Sequence, residues 1–451
     1  MTTVAILGIG ASGAAAARLA LHHGANVYVS DLRTDAPTAA RAAELTALGA
    51  HVELGAHDAA RIAAADTVVV SPGIPPDAPV LRDLRAGGAH WISEPEFAVR
   101  FLDAPLIAVT GTNGKTTTCV LVDHVLRNAG VRVGLGGNLG GGLAPAASEL
   151  PLTDPPPEWV VLEMSSFQLA DIERFKPDIG VVTGLAPDHL DRYPDVAAYY
   201  ADKARLFENA DEASRWVLDG ENPEVDALAG EAPGRRYYFG LDPRVGVHAC
   251  LVADMLTLRV DDEEPVLPRG ELPLLGRHNV ANALAAALVS RLVGVPVPEI
   301  AAGLRTARPL PHRLEPVADR DGILWVNDSK ATNVAAAVSA VLSLDRPLIL
   351  LLGGKDKGEA LGPLVDAARD RVRIGVCFGA AGPRFARALV EGEVPTRSAD
   401  GGLDAAVAAA RETARSGDVI LLAPACSSFD EFENYEARGR RFTALARGEA
   451  A

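Results

Sequence analysis

Lysine is scarce in this chain. Only six of the 43 basic residues are lysines, and the other 37 are arginines. A compositional bias toward arginine explains the shortage, but a compact ammonium and a planar guanidinium are not interchangeable at tight sites. We therefore expect the remaining lysines to be enriched in functional sites. Lys176 is predicted to be an ordinary surface residue, and the other five lie in the motifs described below: Lys115, Lys203, Lys330, Lys355 and Lys357.

The sequence also lacks the features of several protein classes. A net charge of -16 argues against nonspecific binding to nucleic acid or to anionic membranes. No apolar run approaches the roughly 20 residues that a membrane-spanning helix needs, and the N-terminus lacks the basic region of a secretory signal. The four cysteines are scattered without a CxxC pair, which predicts reduced thiols, no structural zinc and a cytoplasmic location.

Length and composition indicate a globular protein of several domains. The chain has 451 residues, of which 48% are hydrophobic and 23% charged, and domains of roughly 100–200 residues are usual. Apolar runs that alternate with helical stretches predict α/β domains with mainly parallel sheets. We place three domains at residues 1–103, 104–308 and 309–451. The outer two are predicted to be Rossmann-like, and the central one to be a mononucleotide-binding domain of the phosphate-loop type.

The first segment opens with a predicted strand, a glycine-rich turn and a helix. The turn reads Gly8-Ile-Gly10-Ala-Ser-Gly13, and the next strand ends at Asp31. This pattern is typical of a dinucleotide-binding unit in which the acidic residue holds a ribose hydroxyl. A tight strand–helix turn without any ligand is the main alternative. A further strand ends in Ser71-Pro-Gly73, at the sheet edge where such folds bind ligands.

The strongest local signal is the stretch Thr110-Gly-Thr-Asn-Gly-Lys-Thr-Thr-Thr118, which lies between a predicted strand and a predicted helix. Its glycines allow the backbone to wrap around phosphates, and the amides at the helix start point toward the anion. Lys115 can reach the terminal phosphates, and Thr116 can ligate Mg²⁺. The spacing differs from a standard Walker A motif, because Val109 stands where its first glycine would fall.

Polar residues follow two further strands of the middle segment. Glu163 ends one apolar run, and Asp188-His189-Leu190-Asp191 follows another. Because the carboxyl ends of parallel strands share one edge, the phosphate loop, the carboxylate and the histidine together predict a Mg–ATP site. Lys203, on a predicted helix, is distinguished only by the scarcity of lysine.

The third segment shows a similar polar edge. Asn327-Asp-Ser-Lys-Ala-Thr-Asn333 precedes a helical run, 334–342. Asp328 or Ser329 can cap that helix, and its free amides can receive an anion, although capping alone is the simpler interpretation. Gly353–Gly358 and Pro424–Phe432 each follow a strand. We interpret this edge as a site for a small anionic substrate. Two nucleotide-type sites in one chain suit an enzyme that uses ATP to act on a nucleotide-linked substrate.

Seven motifs together resemble the Mur ligases, the ATP-dependent amide-forming enzymes of peptidoglycan assembly. Those of the middle segment are Thr110–Thr118, Glu163–Leu169, Pro187–Tyr193 and Gly276–Asn282. Those of the third segment resemble the members that add D-glutamate to UDP-N-acetylmuramoyl-L-alanine, and they are Leu310–Glu315, Asn327–Asn333 and Pro424–Gly439. The resemblance covers all three predicted domains.

The resemblance implies a reaction and its catalytic groups. ATP phosphorylates the carboxylate of the muramoyl substrate, the amine of D-glutamate attacks the acyl phosphate, and the tetrahedral intermediate collapses with loss of phosphate. Such phosphoryl transfer rests mainly on positioning and charge neutralisation. The implied catalytic residues are Lys115, Glu163, His189 and Lys203. Two Mg²⁺ sites are implied, one at Thr116 and Glu163 and one at His189 and Lys203, with Lys203 carbamylated by CO₂ to provide an oxygen ligand.

The resemblance also implies three sets of binding residues. Those for ATP are Gly111, Thr112, Asn113, Gly114, Lys115, Thr116, Thr117, Asn279, Arg313 and Asp328. Those for the UDP-linked substrate are Ser12, Asp31, Arg33, Ser71, Gly73 and Asn138. Those for D-glutamate are Thr332, Lys357, Ser428, Phe429 and Tyr435, with Lys330 close by and Lys357 favoured over Lys355.

Three positions depart from the family pattern. Gly184 stands where many members have Asn, Leu32 where a polar residue helps to read uracil, and Tyr435 where Phe is commoner. None of these changes removes a catalytic group. Two other hypotheses remain at this point: an NAD-dependent oxidoreductase, based on the first glycine turn, and a nucleotide-binding module without catalysis. We expect a monomer that binds ATP and the two substrates, without nucleic acid and without membrane insertion.

Overall fold

The computed structural model describes residues 2–140, 142–190 and 192–449. By its internal contacts the chain divides into two compact units. The first comprises Met1–Leu272 and Ala281–Thr306, and the second comprises Pro273–Val280 and Ala307–Ala451. The first unit contains two sheets and the second contains one. None of the helices in the described ranges combines the length with the apolar character that a bilayer crossing requires.

The first sheet is a small parallel sheet with a glycine turn at its centre. Its strands are Thr3–Leu7 (β1), Asn26–Asp31 (β2), His51–Leu54 (β3), Thr67–Val70 (β4) and Ile92–Ser93 (β5). The helices are Ala11–His22 (α1), Ala36–Ala47 (α2), Ala59–Ala63 (α3), Pro79–Ala86 (α4) and Glu94–Val99 (α5). The strand order is β3-β2-β1-β4-β5. A Cβ atom on Gly13 would lie 1.8 Å from the carbonyl oxygen of Gly8, so this glycine lets α1 pack directly against the end of β1.

The second sheet is the largest. Its strands are Leu106–Thr110 (β6), Val133–Gly137 (β7), Trp159–Glu163 (β8), Ile179–Val182 (β9), Arg215–Asp219 (β10), Arg235–Phe239 (β11), Ala249–Val252 (β12), Met255–Arg259 (β13) and Glu263–Pro268 (β14). The helices are Lys115–Asn128 (α6), Ser166–Leu169 (α7), Val196–Ala204 (α8), Pro223–Ala229 (α9), Arg277–Val293 (α10) and Val297–Arg305 (α11). The order is β14-β13-β12-β11-β10-β9-β6-β8-β7. The strands from β7 to β12 are parallel, and β13 and β14 extend the sheet antiparallel.

The third sheet forms the second unit. Its strands are Glu315–Arg320 (β15), Ile323–Asn327 (β16), Leu348–Gly353 (β17), Val372–Phe378 (β18), Thr396–Ser398 (β19) and Val419–Leu422 (β20). The helices are Val334–Leu342 (α12), Gly362–Arg369 (α13), Gly382–Glu391 (α14), Gly402–Thr413 (α15) and Tyr435–Arg447 (α16). The order is β15-β16-β20-β17-β18-β19, and only the β15–β16 pair of this sheet is antiparallel. The predicted α/β class with mainly parallel sheets is confirmed.

The central strands are apolar runs because helices cover both of their faces. Strand β17 is buried at every residue. Leu348, Leu350 and Leu352 pack into a core with α12 and α13, whereas Ile349 and Leu351 pack into the opposite core with α15 and α16. The strands predicted from the apolar runs Leu348–Leu352, Ile374–Phe378 and Val419–Ala423 are present as β17, β18 and β20, and their ends differ from prediction by at most two residues.

Two buried carboxyl groups of α5 join the first sheet to the second. One oxygen of Glu96 accepts the backbone amides of residues 173, 174 and 175 at 3.1, 3.0 and 2.8 Å. Its other oxygen accepts the Nε of Arg100 at 3.0 Å. Glu94 accepts the amide of Ser148, while its second oxygen has no hydrogen-bond partner among the described residues. These contacts fix α5 against the middle segment within the first unit.

Glu94 predicts a pH dependence of stability. Burial raises its pKa to about 7, although the hydrogen bonds from Ser148 oppose the shift. The folded chain therefore holds this proton at pH values where the unfolded chain, with an ordinary carboxyl, has lost it, so stability falls as the pH rises from about 4.5 through 7. The total loss is on the order of 3 kcal/mol.

Substitution of Glu94 tests this expectation. Glu94→Gln keeps an acceptor for Ser148 and removes the ionisation, so the melting temperature should rise at pH 8 and stay near the wild-type value at pH 5. Calorimetry at both pH values measures the difference. Glu212→Gln, at an exposed residue before β10, is the control and should give the wild-type pH slope. An equal gain for Glu94→Gln at both pH values would contradict the assignment.

Candidate active site

The predicted phosphate loop connects β6 to α6. Gly111 has a φ of +140°, and Gly114 precedes the helix with a φ of +87°. A Cβ atom on Gly111 would lie 2.0 Å from the Thr183 hydroxyl oxygen. Thr183 directly follows the neighbouring strand β9, and its hydroxyl donates to the carbonyl oxygen of Asn113 at 2.6 Å. The glycines therefore let the loop close tightly against β9, as a backbone that wraps an anion requires.

Backbone contacts from the segment after β9 hold Thr112 in the loop. Its amide donates to the carbonyl of Gly184 at 2.8 Å. Its hydroxyl donates to the carbonyl of Ala186 at 3.0 Å and lies 3.2 Å from the hydroxyl of Tyr199. Because Gly184 contributes through its carbonyl, the departure from the family residue at this position leaves the loop contact intact.

The ammonium group of Lys115 lies within the loop. It donates to the carbonyls of Gly111 and Thr112 at 3.1 and 2.9 Å. Thr116 follows in the first turn of α6 and is partly buried. The positive charge, the helix start and the loop amides are thus gathered at one end of β6, which is an arrangement that binds phosphate.

Glu163 ends β8, beside β6, and is 3% exposed. One carboxylate oxygen, Oε1, accepts the side-chain amide of Asn138 at 3.1 Å. The other, Oε2, is buried and has no hydrogen-bond partner among the described residues. A buried carboxylate oxygen without a partner is costly. Such an oxygen fits a hard cation such as Mg²⁺.

Lys203 is buried at the same place. Its Nζ donates to the carbonyl of Gly111 at 2.8 Å, and it lies 4.7 Å from the centre of the Tyr199 ring. The residue is 1% exposed. Burial, with a further contribution from the charge of Lys115, lowers the pKa of Lys203 to about 7. Lys203, which the sequence distinguished only by the scarcity of lysine, is thus in direct contact with the phosphate loop, the strongest local signal in the sequence.

His189 lies on the loop after β9 with a φ of +55°. Its ring contacts the rings of Phe167 and Tyr199, with centres 5.2 and 5.9 Å away. Its side chain is 45% exposed and its backbone amide donates to Asp188. The same Tyr199 therefore contacts His189 and Lys203, the two predicted ligands of the second Mg²⁺. Asp191 lies outside the described residues.

Tyr199 is a site residue that the sequence analysis missed. It is 1% exposed and links the phosphate loop, the histidine and the lysine. Its position four residues before Lys203 on α8 places both on one face of the helix. This spacing is the signal that identifies it once Lys203 is chosen.

A cavity of about 260 Å³ lies between the first and second sheets of the first unit. Its lining includes Ser71, from the loop after β4, and Phe167 and Gln168 from α7. Arg192 and Tyr193 line it as well, and the Arg192 guanidinium lies 4.3 Å from the centre of the Phe167 ring. The cavity brings one predicted substrate residue next to the loop that carries His189.

Five of the six predicted UDP-side residues, all except Asn138, lie at or just after the carboxyl ends of β1, β2 and β4. Asp31 accepts the backbone amide of Ile9 at 2.8 Å and the guanidinium of Arg33 at 2.8 Å. Burial alone would raise the pKa of Asp31, but these hydrogen bonds lower it to about 2. Ser12 lies in the first turn of α1, and Gly73 follows β4 at the same sheet edge. Asp31 is thus a fixed anion bound to the glycine turn.

Three of the predicted ATP residues belong to the second unit. Asp328, at the end of β16, accepts the amide of Leu314 at 3.2 Å. Burial raises the pKa of Asp328 to about 7, although the nearby charge of Arg313 opposes this shift. Asn279 is buried near the start of α10, and its side-chain amide donates to the carbonyl of Leu275 at 2.7 Å.

The start of α12 corrects one prediction. Asn333, and not Asp328 or Ser329, caps the helix by accepting the amide of its third residue at 2.8 Å. The first helical amide donates to Glu359 at 3.0 Å. The prediction was wrong because the chain turns once more after residue 329 before the helix begins. The first and third amides of the helix are thus already paired within the protein.

Tyr435, a predicted D-glutamate residue, is the first residue of α16 and lies against Lys330. The Lys330 ammonium lies 4.1 Å from the centre of the Tyr435 ring. Burial lowers the pKa of Lys330, and nearby cations, Lys357 among them, lower it further. The backbone of Lys355 instead forms a bridge with Ser427. Thr332 is partly buried in the loop before α12.

Arg438 of α16 is a second residue that the sequence analysis missed. Its buried guanidinium donates to the carbonyl of Ser329 at 2.9 Å and to that of Cys426 at 3.0 Å. It thereby ties together the loops after β16 and β20. In the second of these loops Ser428 is buried and Phe429 is 66% exposed.

This fold and edge geometry define an enzyme that uses a nucleoside triphosphate, and comparison with known proteins gives its family. Three family models match: the MurD-like N-terminal domain of the Mur ligases over residues 2–93, the Mur ligase middle domain over 109–290, and the Mur ligase glutamate ligase domain over 312–426. The chain belongs to the Mur ligase family and is an ATP-dependent ligase with the three domains of that family. This membership decides against the oxidoreductase and the noncatalytic module.

Curated relatives of similar length carry a more specific name. UDP-N-acetylmuramoylalanine–D-glutamate ligase of Acidobacterium capsulatum is 40% identical over 99% of this chain and 97% of its own length. The enzyme of the same name from Salinibacter ruber is 40% identical over 98% of this chain and 97% of its own length.

Solved structures of the family share the fold. MurF of Thermotoga maritima in complex with ADP aligns with a TM-score of 0.61 at 14% identity, covering 94% of this chain and 95% of its own. UDP-N-acetylmuramate–alanine ligase, MurC, of Thermotoga maritima aligns with a TM-score of 0.58 at 18% identity, covering 99% of this chain and 100% of its own.

Proposed function

We propose that this chain joins D-glutamate to UDP-N-acetylmuramoyl-L-alanine with consumption of ATP, in the synthesis of peptidoglycan precursors. The observation that carries the proposal is the 40% identity to D-glutamate ligases over nearly the whole of both chains. The convergence of Lys115, Glu163 and Lys203 at one end of β6 supports it, because these are the groups that the reaction needs.

The proposed first step is transfer of the terminal phosphoryl group of ATP to the substrate carboxylate. Lys115 and the loop amides hold the phosphates and neutralise their charge. Thr116 and Glu163 would hold one Mg²⁺, and His189 and Lys203 would hold a second. The ions would supply positive charge that lowers the repulsion between the substrate carboxylate and the phosphates. Thr183 holds the phosphate loop through a hydrogen bond to the carbonyl of Asn113, so the loop amides are positioned before the reaction.

Lys203 is proposed to act as a carbamate. The ammonium first loses a proton to solvent. The neutral amine then adds to the carbon of CO₂, an N–C bond forms as one C–O π bond opens, and a second proton leaves, so that a cation becomes an anionic oxygen ligand. Burial, which lowers the pKa of Lys203 to about 7, supports this step because only the neutral amine is nucleophilic. The carbonyl of Gly111, 2.8 Å from Nζ, holds the amine near the phosphate loop.

The two substrates are proposed to bind at separate sets of residues. Asp31, Arg33 and Ser71, with Ser12 and Gly73, bind the UDP-linked substrate along the edge of the first sheet and the adjoining cavity, and Asn138 binds it from the end of β7 in the second sheet. Lys330 and Lys357 provide positive charge for the carboxylates of D-glutamate, together with Thr332, Ser428, Phe429 and Tyr435. The four cysteines are free and buried, which supports a reducing, cytoplasmic setting. The monomeric state and the domain boundaries at residues 103 and 308 stay predictions.

Phosphate release tests the proposed function. Release should require ATP, UDP-N-acetylmuramoyl-L-alanine and D-glutamate together, and L-glutamate should not replace D-glutamate. With D-glutamate omitted, hydroxylamine should trap the acyl phosphate as a hydroxamate. Equal turnover with L-glutamate would overturn the stereochemical assignment, and turnover with another amino acid in place of D-glutamate would overturn the acceptor.

A further inference from the structure

Asn138 makes two hydrogen bonds to the same residue, Glu163. Asn138 directly follows β7, whose last residue, Gly137, pairs with Glu163 in the parallel register. The backbone amide of Asn138 donates to the Glu163 carbonyl at 2.9 Å. Its side-chain amide donates to Oε1 of the Glu163 carboxylate at 3.1 Å. The backbone bond fixes where Asn138 stands, and the side-chain bond fixes the carboxylate.

The side-chain bond makes the two oxygens of Glu163 unequal. Oε1 is held by an amide donor, whereas Oε2 is buried and has no hydrogen-bond partner within the described part of the chain. A carboxylate that is held through one oxygen presents the other in a single direction. Loss of a group that holds a metal ligand in this way typically lowers the affinity for the metal by about 10- to 100-fold.

We infer that Asn138 is a positioning residue that orients Glu163 for Mg²⁺. The inference rests on the proposed function in one respect, namely that Glu163 holds the metal. It differs from the substrate contact that the family resemblance implies for Asn138, because orientation of Glu163 matters before any UDP-linked substrate binds. Asn suits this role because its amide donates a hydrogen bond without adding charge, whereas Asp would place a second anion beside Glu163.

The site allows a clean substitution. Asn138 itself is exposed, so Asn138→Ala leaves no cavity in a core and keeps the backbone bond to Glu163. Asn128→Ala is the matched control. Asn128 is an exposed asparagine at the end of α6 whose side-chain amide donates to the carbonyl of His124 at 2.8 Å. Melting temperatures of both variants establish that they are folded.

The experiment measures Mg²⁺-dependent binding of a fluorescent ADP analogue without any UDP-linked substrate. For Asn138→Ala the Mg²⁺ concentration at half-saturation should rise by about 10- to 100-fold, whereas Asn128→Ala should match the wild type. In a Glu163→Ala background, Asn138→Ala should have no further effect, because the two act through one interaction.

Two results would overturn the inference. One is a wild-type Mg²⁺ titration for Asn138→Ala together with a raised KM for the UDP-linked substrate, which would leave Asn138 as a substrate contact only. The other is nucleotide binding by the wild type that does not depend on Mg²⁺. Failure of the proposed function would appear differently, since the metal titration needs neither D-glutamate nor turnover.

Discussion

Lys203→Ala should lower the ligation rate by about 10³-fold, which corresponds to roughly 4 kcal/mol of transition-state stabilisation. The reason is the place of the lysine: it is fully buried, and its Nζ lies 2.8 Å from the Gly111 carbonyl of the phosphate loop. A carbamate on Lys203 places negatively charged oxygens near Lys115, where the unmodified lysine would place a second positive charge. Steady-state phosphate release with both substrates measures the effect.

Chemical rescue distinguishes the carbamate from a merely structural lysine. Acetate or a high concentration of bicarbonate should restore part of the activity of Lys203→Ala, because a small oxyanion can occupy the space of the missing side chain. Lys203→Arg should stay inactive under the same conditions, because a guanidinium does not form the carbamate. Lys176→Ala, at the surface beside Asp211, is the control and should behave like the wild type. Full activity of Lys203→Ala without additives would refute the second metal site.

Lys115→Ala should lower the reaction rate by a similar factor, but through an earlier step, the formation of the acyl phosphate. The ammonium lies 3.1 and 2.9 Å from two loop carbonyls, so its removal takes away the positive charge of the phosphate loop. We expect about a 10³-fold lower rate of acyl phosphate formation, equal to roughly 4 kcal/mol, with weaker binding of ATP. Hydroxylamine trapping with D-glutamate omitted isolates this step from amide formation.

Further variants separate charge from shape at the phosphate loop. Lys115→Arg should recover little, because a planar guanidinium does not fit between carbonyls that hold a compact ammonium. Acetate should not rescue Lys115→Ala, in contrast to Lys203→Ala, because the missing group is a cation. Acyl phosphate formation at the wild-type rate in Lys115→Ala would exclude the proposed role.

The parallel strands and their functional ends could be predicted from sequence because burial on both faces leaves a simple signal. Strand β6 is a fully buried apolar run, and the phosphate loop begins where it ends. The antiparallel strands β13 and β14 were missed, since strands with one exposed face contain polar residues and give no continuous run. The cap of α12 was misplaced because residues 327–333 offer four capping residue types, Asn, Asp, Ser and Thr, and local propensity does not choose among them.

Side-chain partnerships across strands were beyond sequence reasoning. Nothing in the sequence links Asn138 to Glu163, because their contact depends on β7 and β8 being neighbours in register. For Tyr199 the sequence showed only that it lies four residues before Lys203 on a predicted helix. Arg438 lies in a motif that was singled out, yet its role as a buried donor to loop carbonyls follows only from the folded loops. The chemical roles of single residues could be predicted from the sequence, but the contacts between their side chains could not.

Helix α16 has a consequence for truncation of the chain. Arg438 on this helix ties the loops after β16 and β20 together, and the Tyr435 ring lies against the Lys330 ammonium. A chain cut before residue 435 would keep all six strands of the third sheet, but the two loops would have no guanidinium to hold their carbonyls. The cut would therefore disturb the loops beside Lys330 without removing any residue of the phosphate loop.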